Sequence, residues 1–102
     1  MATIIGSTML IEGEIDGEER LVVQGTVQGK IKIEEAIEIA RSGIVRAEID
    51  AEALTVAGQI HGRVRARTKV ELTSEAKMVG DIHAPRILIA DGAHFKGNID
   101  MD

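Results

Sequence analysis

The sequence of 102 residues predicts an all-β solenoid of about six rungs, each 16–17 residues long, on three observations. Apolar doublets spaced i, i+2 recur at Leu21 and Val23, Ile37 and Ile39, Leu54 and Val56, Val70 and Leu72, and Ile87 and Ile89, their starts 16, 17, 16 and 17 residues apart. A nearly constant phrase returns six times, as GEIDG at 13–17, GTVQG at 25–29, AEIDA at 47–51, GQIHG at 58–62, GDIHA at 80–84 and GNIDM at 97–101. The interior is aliphatic, since 44% of residues are hydrophobic while the chain has one Phe and no Trp or Tyr. So even a short period marks units that stack only on their neighbours.

The first rung opens weakly at Thr3 and Ile5, and the others start at Leu21, Ile37, Leu54, Val70 and Ile87. EEAIEIARSG at 34–43 looks locally helical, but its counterpart 33 residues on, RTKVELTSEA, has no helical stripe, so strand and turn are predicted. Four residues after each start stand Ser7, Gly25, Arg41, Gly58, Ser74 and Asp91, a column of turn formers that predicts a corner. Apolar stretches on either side of it wrap each unit around three sides of a column. Pro85 falls between strands, where its missing N–H costs no ladder bond. The six units use almost the whole chain, so one domain over 1–102 is predicted, with almost no tail at either end.

Counting from the starts also predicts which residues stack. Twelve positions on stand Ile15, Ile33, Ile49, Ala66, Ile82 and Ile99, and ten positions on Gly13, Ile31, Ala47, Val64, Gly80 and Gly97. With these pointing inward, the residues between them point out. The outward set at eleven, Glu14, Lys32, Glu48, Arg65, Asp81 and Asn98, alternates in sign up to Asp81 and removes like-charge repulsion between rungs about 4.8 Å apart. At nine, Lys30, Arg46, Arg63 and Lys96 are expected to form a basic stripe, read as a solvated face.

Composition excludes several functions. With 17 acidic against 12 basic residues and a net charge of −5, the chain lacks the footprint of a nucleic-acid binder, and it has no aromatic platform for bases. Without cysteine it offers no disulfide or thiolate metal site, which fits a reducing compartment. The opening MATIIGSTMLIEG has neither a basic n-region nor a long apolar run, so a cytoplasmic protein is expected. No GKS or GKT follows a glycine loop, and no nucleotide or other cofactor is predicted. His61 and His83 each follow an inward Ile and point outward with no second ligand in view; His94 flanks Phe95, where it could tune assembly with pH.

In IEGEIDG at 11–17, LVVQGTVQGKI at 21–31 and VELTSEAKMVGDIHAPRILIADGAHFKGNIDM at 70–101, the chain resembles the bactofilins, a bacterial cytoskeletal family. The resemblance runs over residues 4–101 and is most specific in the last stretch. It implies a right-handed, roughly triangular β-helix that polymerises end to end without nucleotide. It also implies a scaffold that places other proteins, often cell-wall enzymes, and influences cell shape. Many family members carry disordered tails and a membrane-targeting N-terminal segment; this N-terminus supports no membrane association.

The ends point the same way physically. A solenoid finishes in unpaired backbone groups and an open apolar interior, and no capping helix or polar terminal repeat is visible in the sequence. Phe95, the largest side chain of the column Ile11, Gly29, Val45, Gly62, Met78 and Phe95, arrives in the last rung; it serves as an end-to-end contact or as a plug for the core. Ile87, Ile89, Ile99 and Met101 share its rung, and Ile4, Ile5, Met9 and Ile11 line the opposite end, so these nine are the candidate polymerisation residues. The partner expected is a second copy of the chain. Two rivals stand beside this reading. A left-handed hexapeptide-repeat acyltransferase fits Ala66, Leu72, Met78, Ala84 and Ala90, but the 16 and 17 spacing breaks its period of six. A monomeric binding module needs end caps.

Overall fold

The computed structural model describes residues 2–100, and they form a parallel β-solenoid of about six turns with no helix. The first side of each turn is built by β1 (Ala2–Ile5), β3 (Arg20–Val23), β5 (Ala36–Ile39), the ends of β6 (Ile44–Val56) and β7 (Gln59–Leu72), and β9 (Ile87–Ile89). The other two sides are built by β2 (Leu10–Gly17), β4 (Thr26–Ile33), the longer parts of β6 and β7, β8 (Lys77–His83) and β10 (His94–Asp100). Residues 34–43 are strand and turn, as their pattern predicts.

On the first side the expected register holds in every turn: Thr3, Leu21, Ile37, Leu54, Val70 and Ile87 stack in one column. Leu21, Ile37, Leu54 and Val70 are sealed in the core, together with Val23, Ile39, Val56 and Leu72. No described polar or charged residue is buried. Aliphatic stacking therefore supplies the drive to fold, and the ladders satisfy the backbone.

Beyond the first corner the register differs from expectation by two residues in the second and fourth turns. Ile15 stacks on Ile31, not Ile33, and Ile49 on Val64, not Ala66. The Phe95 column reads Ile11, Val27, Val45, Ile60, Met78 and Phe95, with aliphatic residues where Gly29 and Gly62 were expected. The cause is the corner itself. Gly6, Ala40, Thr73 and Ala90 each open a four-residue turn closed by an amide three residues on, in which Met9, Gly43, Ala76 and Ala93 donate at 2.8–3.1 Å. Only Gln24 and Gly25, or Ala57 and Gly58, turn the chain in the second and fourth coils.

The short corners nest inside the long ones. Gln59 N donates to the Gly43 carbonyl and Lys77 N to the Gly58 carbonyl, at 3.0 and 2.9 Å. A Cβ on Gly58 would collide with the carbonyl oxygens of Ala40 and Gly43, so the tight corner requires glycine. Because the fourth corner sits back, Arg41 of the third turn reaches over it to ion-pair with Glu75 of the fifth. The rest of the turn absorbs one of these two residues, which leaves the 16 and 17 residue alternation.

The outward charges consequently form two ladders. One runs Glu14, Lys30, Glu48, Arg63, Asp81, Asn98, and its neighbour runs Asp16, Lys32, Asp50, Arg65, His83, Asp100. Alternation of sign is as expected, with Lys30 and Arg63 in the places given to Lys32 and Arg65. At the last step His83 Nδ1 lies 3.3 Å from Asp100 Oδ2, and Asn98 Nδ2 donates to Asp81 Oδ1 at 3.3 Å. Substituting Glu48→Lys places cations in three successive rungs and is expected to cost about 1 kcal/mol, since opposed like charges destabilise by roughly 0.2–1 kcal/mol each. Thermal melts at low and high salt check this: the deficit shrinks as salt screens the column.

Two apolar ends as the candidate functional site

The first and last turns each offer an open edge. Among the described residues, β1 pairs only with β3 and β2 only with β4, while β9 pairs only with β7 and β10 only with β8. Each therefore presents its outer backbone groups unpaired, a template for further strands.

Exposed apolar side chains follow the same division. Ile4, Met9 and Leu10 in the first turn are 50–59% exposed, and Val79, Leu88, Ile89 and Ile99 in the last two are 41–47% exposed. No other described large hydrophobic residue is exposed, so the second, third and fourth turns contribute none. The alternation of the strands explains part of the set. Ile87, Ile89, Phe95 and Ile99 are inward residues whose columns end in the last turn, Ile87 and Phe95 being half-buried there.

The candidates at the N-terminal end divide. Ile11 is half-buried and faces the open end, and Met9 sits on the corner, above the glycines of the turns that follow. Ile5 is already 3% exposed within its own protomer, so it has little surface left to give a partner. Ile4 points outward on the first side, in the column of Val22, Glu38, Thr55, Glu71 and Leu88. Met101 lies outside the described residues. Sequence reasoning missed Ile15, which lines the open N-terminal face, as well as Leu10 and Leu88. The signal for the last two was available: each is apolar in an outward column whose middle is largely polar.

One other expected grouping comes apart. Lys30 and Arg63 stack with Glu14, Glu48 and Asp81, while Arg46 and Lys96 stack with Gln28, His61 and Val79, so the four cations make no single stripe. His61, His83 and His94 occupy three different columns, and among the described residues no three His, Asp or Glu side chains gather to hold a metal.

An open aliphatic solenoid of this period matches one family over nearly its whole length. Residues 3–100 fit the Bactofilin family, whose members are polymer-forming cytoskeletal proteins. The chain is a bactofilin. This bactofilin is 54% identical over 100 residues to bactofilin BacO of Myxococcus xanthus (strain DK1622), covering 98% of its own length and 79% of BacO. Bactofilin BacN of the same organism is 52% identical over 99 residues, covering 97% and 88%. Bactofilin BacP is 41% identical over 99 residues, and there the match spans 97% of this bactofilin but only 41% of BacP. No solved structure matches significantly. Among the described residues no helix is long and apolar enough to cross a membrane.

Proposed function

We propose that this bactofilin assembles end to end into nucleotide-independent filaments that serve as a scaffold for other proteins, cell-wall enzymes among them. The observation that carries the reading is the confinement of exposed large apolar residues to the first turn and the last two, at and beside the open strand edges. Stacking two protomers there continues both the hydrogen-bond ladder and the aliphatic column. The regular repeat acquires a purpose: a coil that looks alike at every level continues across a junction with nearly the same strand spacing. Such junctions consume the ends and leave the three sides free to carry other proteins, which supports the scaffold reading.

Negative-stain electron microscopy of the untagged protein, without nucleotide, tests the proposal. Filaments are expected, with an axial repeat near 29 Å if six coils at about 4.8 Å make up each protomer. Discrete particles of protomer size at micromolar concentration would overturn it.

A further inference from the structure

The corner joining the third side of each turn to the first side of the next carries a charge pattern that neither stacking nor the ends require. In chain order its charged residues are Glu18, Glu19 and Arg20, Glu34 and Glu35, Glu52, Arg67 and Lys69, and Arg86. One vertical edge of the solenoid is thus acidic in its N-terminal half and basic in its C-terminal half. The ladders beside it alternate in sign and add little net charge to either half.

Most of these groups are unused within the protomer. Among the described residues, Glu18, Glu19, Glu34 and Glu35 are exposed and make no ion pair or side-chain hydrogen bond, and neither do the side chains of Lys69 and Arg86. Arg20, which stands at the acidic end, is turned toward Glu38 at 3.2 Å. Only the middle is satisfied internally: Thr68 Oγ1 donates to Glu52 Oε1 at 2.6 Å, and Arg67 lies 3.5 Å from Glu52.

We propose that this edge docks a second copy of itself in the antiparallel sense, side by side. A two-fold axis through the Glu52 corner sets Glu34 and Glu35 of one copy against Lys69 of the other and against Arg67, which shares its charge with its own Glu52 and the Ile33 carbonyl, and Glu18 and Glu19 against Arg86. The axis makes each contact twice. The self-neutralised Glu52 falls where the edge meets its own copy, the one place where an unpaired charge would repel. A parallel neighbour in register meets like with like at every corner. Exposed ion pairs are individually weak and screened, with a Debye length of about 10 Å at 0.1 M salt, so single protomers pair weakly and only at low salt. Multiplied along a filament, which rests on the function proposed above, the same contact becomes strong through avidity. Lateral pairing of filaments is therefore set by salt.

The test uses two double variants, Glu34→Lys with Glu35→Lys, and Arg67→Glu with Lys69→Glu, each checked by circular dichroism for an intact β fold. At about 50 mM salt, wild-type filaments are expected in side-by-side pairs that separate at about 0.5 M. Each double variant alone opposes like charges and is expected to reduce paired filaments roughly tenfold or more. Mixing the two, or combining all four substitutions in one chain, restores complementarity and the pairs. Filaments that form but pair equally in every variant, or never pair at low salt, overturn the proposal. Sedimentation of the mixed variants gives a readout that needs no filament: heterotypic dimers are expected at low salt and neither variant dimerises alone. If no filament forms, the end-to-end reading fails, and the edge contact stands or falls on these dimers.

Discussion

Replacing Phe95 with arginine is expected to abolish filaments while leaving a β-rich protomer. Phe95 stacks on Met78 as the last inward residue of the second side, and no described strand covers it beyond. In the isolated protomer an arginine there keeps its guanidinium in water by leaning over the open end. In a junction built on this end the same group is enclosed among aliphatic side chains with no carboxylate placed to meet it. An unpaired buried charge costs about 3–5 kcal/mol, and each 1.4 kcal/mol is about tenfold in association, so affinity is expected to fall by more than about a hundredfold. Electron microscopy and circular dichroism together separate the two roles open to Phe95. Filaments lost with the β signal kept identify a contact; loss of the β signal identifies a plug. Filaments that persist place the junction elsewhere. Phe95→Leu keeps an apolar end and is expected to assemble.

Substituting Gly80→Ala is expected to disrupt the fold far more than the same change at Gly13. Both belong to one column, Gly13, Gly29, Ala47, Gly62, Gly80 and Gly97, in which every glycine has positive φ. At Gly13 φ is 127° and an added Cβ meets nothing within 4 Å, because no turn precedes the first. Backbone strain alone applies there, about 1–3 kcal/mol. At Gly80 φ is 135°, and the Cβ would collide with the Gly62 carbonyl oxygen and lie 2.8 Å from its carbon. Relief requires prising the fourth and fifth turns apart, which breaks ladder bonds and opens the core. The column tolerates a side chain only at Ala47, where φ is not positive. Thermal melts at matched concentration test the contrast: a reduced but cooperative transition for Gly13→Ala, and loss of the cooperative transition for Gly80→Ala. Equal melting temperatures would show that the turns slide apart at little cost.

Much of this was legible in the residues, for identifiable reasons. Leu21, Ile37, Leu54 and Val70 announce their column because nothing of variable length interrupts the first side. Ser7, Gly25, Arg41, Gly58, Ser74 and Asp91 mark the first corner because turn residues are chosen by local backbone chemistry. Phe95 and Ile99 stand out as terminal because a solenoid's neighbours are its neighbours in sequence. Leu10 and Leu88 escaped although their signal was present, since a single apolar residue in an outward position is ordinary on a protein surface and stands out only against the polar residues of its column.

The length of each corner was hidden by parity. A slip of one residue on a strand turns every side chain to the wrong face and betrays itself, whereas a slip of two keeps inward residues inward. Ile33 and Ala66 therefore looked as suitable as Ile31 and Val64 for the column of Ile15 and Ile49, being buried and apolar too. The sequence by itself determined the all-β class, the period, the inward and outward faces and the apolar character of the ends, because each follows from local alternation and from stacking between adjacent repeats. Only the tertiary structure decided which residue lies over which, since the nesting of two-residue corners inside four-residue ones is a contact between turns. From that single choice come the true charge ladders, the Arg41–Glu75 bridge and the aliphatic column beneath Phe95.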